Sequence, residues 1–470
     1  MRARRSPPSP GLGALAASTP AGRDRLVDLV RAASIVVVAL GHWSMAALEP
    51  RHDGGLRVRN ILEVTTWAHP LTWLLQVMPL FFFAAGFTSA LALRRRRTWS
   101  AFAGGRLQRV LPPTLLFVAV WLVLSWVLVR VGVPAVVVDA AGDAAAMPLW
   151  FLAVFLLLAV LAPAQHALHR RWPWALLPVL PVVALLLDRL QGTCLAPLGY
   201  LNYVVVFGFS QELGFLYADG ALVRIRRRWW AVATAGALGA LVLLTGPGPY
   251  PVSMLGLPGQ RLSNMLPPSV CVIAVGVVQL GVVMLARPAL QRWLQRPRVW
   301  RATVAANTVV MTLFLWHITG LVLAAVAAYL LGLPLPPIGS ARWWAEKPLW
   351  LLAAAVVTTG LVVLLSPVER AAAGRVHTAP PRWGGVAALL AVAGLTVVAC
   401  SGFADPFQRS GVALAGQQFA PAAGAALLAL AWLLGRAWSR PATTGERPGT
   451  GVGEPPGPGI GEPPPVSSSR

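Results

Sequence analysis

Twelve apolar runs, separated by short connections, constrain this chain more than any other feature. They lie near 29–48, 70–93, 111–130, 149–165, 174–188 and 200–218, then 229–245, 267–286, 307–331, 348–366, 384–401 and 412–434. A bilayer core about 30 Å thick takes roughly 20 apolar residues of helix, and inside it every backbone N–H and C=O must find a partner within the segment. The runs therefore predict an all-α, polytopic transmembrane fold of about twelve spans. The fifth run is short and contains proline, and the sixth carries Asn202 and Glu212, so these two are the least regular. With 57% hydrophobic and only 12% charged residues in 470, and a mean hydropathy of +0.66, the chain could not cover a water-facing surface. No connection is long enough to hold a soluble domain, and the two halves show no internal repeat.

Charge decides the expected orientation. Lys347 is the single lysine among the 39 basic residues, so the net +23 is almost entirely guanidinium. A balance this basic could signal nucleic acid, but the arginines fall between apolar runs, where they set topology. Connections following even-numbered runs hold 20 basic residues and those following odd-numbered runs hold 9. The positive-inside rule then places both termini in the cytoplasm of a multi-pass cell-membrane protein, with residues 94–109 and 287–301 inside and 132–147 outside. Residues 1–24 form a basic cytoplasmic tail without a cleavable signal, because the first apolar run is long enough to remain as an anchor. Residues 437–470, rich in Pro and Gly without periodicity, are expected to be a disordered cytoplasmic tail. The three cysteines, Cys194, Cys271 and Cys400, give neither a disulfide framework nor a metal pattern, and no metal site is expected.

Ionisable residues inside such spans are costly and tend to face a protein interior or a watery cavity. Beyond Arg25 at its start, the stretch 25–48 carries three: Asp28, Arg31 and His42. Eleven steps at about 100° bring His42 to within about 20° of Arg31 on the helix, with Asp28 about 40° to the other side, so all three share a stripe. Along the axis Arg31 and His42 stand about 16 Å apart, at ~1.5 Å per residue. Asp28 also has a simpler role open to it, as counter-ion to Arg25 or Arg31. Arg94, Arg95, Arg96 and Arg97 read as a stop-transfer cluster. Arg106 and Arg109, three apart on a helical face at the mouth of the third run, suit bidentate phosphate binding as well as topology. His317, halfway through the ninth run, is open to packing or catalysis. Glu212 needs an arginine or histidine partner that the sequence does not name.

Several of these segments resemble the acyltransferase-3 family of integral membrane acyltransferases, in the family's order. Arg31, ten intervening residues and His42, preceded by Asp28, look like its first-helix motif. The stretch Phe81, Phe82, Phe83, Ala84, Ala85, Gly86, Phe87 is similar to its FF-x-x-SGF segment. Arg106-x-x-Arg109 followed by Pro112 resembles its Arg-x-x-Arg motif, Trp150, Phe151 and Leu152 its Trp-Phe-Leu segment, and Trp316-His317 its late aromatic-His pair. Ala85 stands where the family has serine, and Ala32 where it has glycine after the first-helix arginine. The similarity makes residues 25–366 the acyltransferase core and 367–436 two additional transmembrane helices. It implies transfer of an acyl group, commonly acetyl, from cytosolic acyl-CoA to a hydroxyl of a glycan, glycolipid or secondary metabolite, with acyl-CoA as cosubstrate and no bound cofactor. Among the catalytic residues His42 would act as general base and Arg31 would steady a phosphate or carbonyl oxygen with Asp28 orienting it; Arg106 and Arg109 would hold acyl-CoA, and His317 and Glu212 are additional candidates. A secondary transporter is the competing expectation, weakened by the absence of repeats.

Overall fold

In the computed structural model, residues 23–50, 56–95, 98–191, 193–257, 262–374, 383–403, 405–414 and 417–436 are described. The expected tail at 437–470, most of the tail at 1–24, and Arg96 and Arg97 lie outside the described residues. The chain is a bundle of helices: α1 (Arg25–Met45), α2 (Met78–Arg95), α3 (Trp99–Arg130), α4 (Ala135–Ala146), α5 (Pro148–Arg171), α6 (Leu176–Asp188) and α7 (Asn202–Ala218). It continues with α8 (Arg227–Thr245), α9 (Val270–Leu294), α10 (Pro297–Thr308), α11 (Val310–Leu330), α12 (Ala341–Gly374), α13 (Gly384–Ser401) and α14 (Pro421–Arg436). Among the described residues, nine helical stretches are long and apolar enough to cross a membrane. The helices α6, α7 and α14, at 13, 17 and 16 residues, are shorter.

Every apolar run contains helix, with informative departures. The first stops at Met45, and Ala46–Pro50 (β1) pairs antiparallel with Leu56–Asn60 (β2) to form a hairpin over that end of α1. The ninth is broken at Val309, between α10 and α11. The twelfth begins as a second hairpin, Ser410–Leu414 with Gln417–Phe419, and only then turns helical. α1 starts cleanly because Asp24 caps it, accepting from the Leu26 and Val27 amides at 2.9 and 3.1 Å.

Contacts between connections sort the ends of the bundle into two faces. On one, Arg94 pairs with Asp219, and Arg25 donates to the Leu294 carbonyl at 3.0 Å and stacks over Trp300. This is the basic face. On the opposite one, the Trp73 indole donates to the Val252 carbonyl at 2.7 Å, and Tyr250 and the Val270 amide both donate to Asp188, at 2.9 and 3.0 Å.

Within lipid there is little hydrophobic gain from pairing two apolar helices, so close packing and buried polar pairs must hold the bundle. A methyl at Gly276 of α9 would sit 2.7 Å from Cβ of Pro79 in α2. Gly86 of α2 and Gly214 of α7 likewise lie against each other's helices, at the backbone of Gln211 and of Phe83, with no room for a side chain. The aromatic segments interlock: Phe82 stacks on Phe207 at 4.4 Å, Phe81 meets Phe151 at 4.9 Å, and Phe151 meets Phe314 at 4.9 Å. The C-terminal helices are part of this packing. α13 lies on α3 and α5, and Phe403 beyond it packs on Phe117 and Trp121. α8 and α12 are the most lipid-facing, with Val242, Leu349 and Leu364 exposed.

By the positive-inside rule the basic face is expected on the cytoplasmic side. Cys194 is exposed in the connection beyond Asp188 and gives a native probe. An impermeant maleimide applied to intact cells is expected to label Cys194, and to leave Arg298→Cys unlabelled in a Cys194→Ser background. The reverse pattern would invert the orientation.

Candidate active site

α1 is the central element, packed by α2, α9, α10, α11 and α12. Its charged stripe resolves into two separate places. At the basic face, buried Asp28 accepts from Arg23 at 2.5 Å and from Arg31 at 3.4 Å. Arg25, the other counter-ion considered, points away to α9. Arg31 Nε donates to Asn307 Oδ1 at 2.7 Å, and the Asn307 amide donates back to the Asp28 carbonyl at 2.9 Å. Asn307 belongs to the last turn of α10, directly before the break. There the new helix α11 begins, and Glu369 of α12 caps it by accepting from the Met311 and Thr312 amides at 3.1 and 2.8 Å and from the Thr312 hydroxyl at 2.6 Å. Exposed Arg109 is close enough for its charge to act on Arg31.

About three turns beyond Arg31 along α1, His42 meets His317. The nitrogens His42 Nδ1 and His317 Nε2 are 2.8 Å apart, and the rings are within 11° of parallel with centroids 5.1 Å apart. That spacing is one hydrogen bond between two ring edges, so the rings lie side by side in nearly one plane and are not stacked face to face. His317 Nδ1 sits 2.7 Å from the Phe314 carbonyl oxygen, which can only accept. Nδ1 of His317 therefore carries the proton, and its Nε2 accepts in the neutral ring. His42 Nδ1 must then be the donor to it. By elimination the lone pair of His42 is on Nε2, which has no hydrogen-bond partner among the described residues. His317 is fully buried and His42 half-buried. The Trp43 indole clamps the same turn of α11 by donating to the His317 carbonyl at 2.8 Å.

The remaining candidates separate from this pair. Arg106 is half-buried and held by the hydroxyls of Thr88 and Ser89, each at 3.1 Å, with its guanidinium against Phe102 and Phe155. Arg106 and Arg109, expected to act together, thus differ: one is tied into α2, and the other is exposed, with its charge felt at Arg31. Glu212 has found a histidine. His169 Nδ1 lies 2.5 Å from Glu212 Oε1 and its Nε2 3.0 Å from Asp219, while Gln165 donates to Glu212 at 3.0 Å. This network ties α5 to α7 near the basic face and touches neither His42 nor His317. Asn307, His169 and the pairing of His317 were missed from the sequence: the first is a common polar residue at a break, and the others are partnerships across 43 and 275 residues.

A family model for an acyltransferase domain, acyltransferase-3, matches residues 25–367. The chain belongs to the acyltransferase-3 family. No curated protein and no solved structure matches it. It is a membrane-embedded acyltransferase, and the histidine pair, the Arg31 end and the Phe81–Phe151–Phe314 contacts all lie within the matched acyltransferase region.

The tautomer argument predicts an asymmetry between the two histidines. His42→Gln keeps bulk and hydrogen bonding but cannot take up a proton at neutral pH, so turnover is expected to fall ~10²–10⁴-fold. His317→Gln can still accept from His42 and donate to Phe314, and should keep far more activity than His317→Leu. Turnover per molecule of purified protein checks this. Equal losses in the two Gln variants would show that the proton order is wrong.

Proposed function

We propose that this acyltransferase moves an acyl group, acetyl in the simplest case, from cytosolic acyl-CoA to a hydroxyl of a carbohydrate, lipid-linked glycan or secondary metabolite. The observation that carries the reading is the chain Phe314 carbonyl, His317, His42, which leaves one basic nitrogen open at the far end of α1. In this mechanism His42 Nε2 takes the proton of the acceptor hydroxyl as its oxygen attacks the thioester carbonyl. The tetrahedral intermediate collapses, the C–S bond breaks, and His42 returns its proton to the departing CoA thiolate. His317 accepts the Nδ1 hydrogen bond throughout and so steadies the imidazolium, the part the third member plays in a catalytic triad.

The donor enters from the basic face. Arg31 and Arg109, positioned with help from Asp28 and Asn307, bind the phosphates of CoA, while the thin pantetheine arm covers the ~16 Å to His42 at ~1.5 Å of helix rise per residue. Arg106 contributes by holding α3 against α2. The protein works as a multi-pass cell-membrane enzyme with both termini in the cytoplasm, and it needs no bound cofactor, metal or nucleic acid.

The direct test is release of free thiol from acetyl-CoA by detergent-purified protein. His42→Gln should slow it ~10²–10⁴-fold; a transporter would release none even in the wild type. Arg109→Ala is expected to raise the KM for acyl-CoA roughly ten- to hundredfold, the worth of one charge-assisted contact, with Lys rescuing only part because it lacks the bidentate fork. Arg106→Ala should chiefly lower thermal stability. Unchanged acyl-CoA dependence in a well-expressed Arg109 variant would remove that residue from donor binding.

A further inference from the structure

The chain's single lysine is buried at the end of α1 opposite the basic face. Lys347, in the second turn of α12, donates from Nζ to the Ala46 carbonyl at 2.7 Å and lies 4.4 Å from the centre of the Trp343 ring. The Ala46 amide in turn donates to the His42 carbonyl, so the ammonium is held one helical turn beyond the proposed base. An ammonium has three N–H donors and a full charge, and one carbonyl plus one ring face meet only part of that demand.

The described carboxylates of the β1–β2 segment and of the start of α12 are committed elsewhere. Arg59 pairs with Glu49 at 3.6 Å and with Glu63 at 3.1 Å, and Arg342 pairs with Glu346 at 2.6 Å. No described carboxylate pairs with Lys347. A buried charge without a counter-ion is expensive unless something arrives to balance it. Beside it, Trp343 meets Trp344 edge-on at 4.8 Å, and Trp344 meets Trp67 at 5.7 Å. Trp67 and Trp344 are exposed, which gives flat apolar faces next to the cation. Tryptophan suits such a place, with a broad ring for the apolar face of a sugar and a polar edge for its hydroxyls.

We infer that Lys347 and the Trp67–Trp344 ledge form an acceptor subsite, and that the acceptor carries an anionic group, a carboxylate or a phosphate, near the hydroxyl presented to His42. Lys347 binds this anion and the indoles bind the neighbouring sugar face. The word acceptor rests on the acyl-transfer reading; the anion site does not.

The test is equilibrium binding to the purified full chain, read by quenching of tryptophan fluorescence. The probes are p-nitrophenyl β-D-glucuronide, p-nitrophenyl β-D-glucoside 6-phosphate and the neutral p-nitrophenyl β-D-glucoside. At least one anionic probe should bind roughly ten- to hundredfold more tightly than the neutral one, and that advantage should shrink as salt is raised. Lys347→Gln keeps a donor for the Ala46 carbonyl and loses the charge, so it should erase the preference, while Lys347→Arg should retain most of it. Trp344→Ala should weaken all three probes. A preference for glucuronide alone assigns a uronate-type carboxylate; one for the phosphorylated probe alone assigns a phosphosugar. Equal binding of the three probes, or an anion preference that survives Lys347→Gln, overturns the inference. A lysine that merely caps α1 would show a lowered melting temperature in Lys347→Gln with no change in discrimination. Binding needs no turnover: a protein that discriminates the probes but releases no CoA keeps this site and loses the acyl-transfer reading.

Discussion

The proposed reactive end of the molecule depends on the position of one proton. The Phe314 carbonyl can only accept, so it fixes the proton of His317 on Nδ1, and that in turn fixes the proton of His42 on its own Nδ1. Without this sequence His42 would sample both tautomers, and its outward nitrogen would be a donor part of the time. With it, the proposed base presents a lone pair inside an apolar bundle, and no described carboxylate orients it. A carboxylate there would have to be desolvated at a cost of several kcal/mol; a backbone carbonyl three residues earlier in the same helix costs nothing further, because α11 supplies it anyway.

The rest of the bundle keeps α1 and α11 in register so that this bond can form. At the basic face Arg31 and Asp28 bond to Asn307, and Glu369 holds the first amides of α11. At the other end Trp43 bonds to the His317 carbonyl and Lys347 to the Ala46 carbonyl. α1 is thus tied to α10 at one end and to α11 and α12 at the other, while α12 caps the start of α11, and in lipid such polar contacts replace the hydrophobic drive that would hold a soluble core. The interlocked phenylalanines of α2, α5 and α7 reach α11 at Phe314, which lies one turn before His317 and meets its ring.

Much of this was legible in the sequence because two rules are strong in membranes. The thickness of the bilayer makes an apolar run a helix, and all twelve runs contain one. The cost of burying charge makes Asp28, Arg31 and His42 share a stripe. What stayed hidden depends on distant partners or on local breaks. Nothing in the ninth run marks the interruption at Val309, because Asn307 and Thr308 are ordinary helix residues until Arg31 and Glu369 supply the missing bonds. The start of the twelfth run is apolar enough to read as a span, yet Ser410–Leu414 folds back on Gln417–Phe419 as a hairpin. Glu212 demanded a partner, but His169 lies 43 residues away, and residue spacing across helices carries no pairing rule. Arg106 and Arg109 look equivalent by periodicity; only the position of Thr88 and Ser89 on α2 tells them apart.

The distribution of charge along α1 follows from the same desolvation cost and explains why its two ends do different work. Full charges stay within about a turn or two of a helix end, where partners and water can reach them: Asp28 with Arg23 and Arg31 at one end, Lys347 beside Ala46 at the other. Between them stands a pair of imidazoles that, in the proposed mechanism, remain neutral while waiting and charge only during the reaction. A donor held by its phosphates and an acceptor held by its own anion would then approach that pair from opposite faces. Each would be anchored by a cation at its own end, so the thioester and the hydroxyl could meet at His42 without bringing either anion into the apolar centre of the bundle.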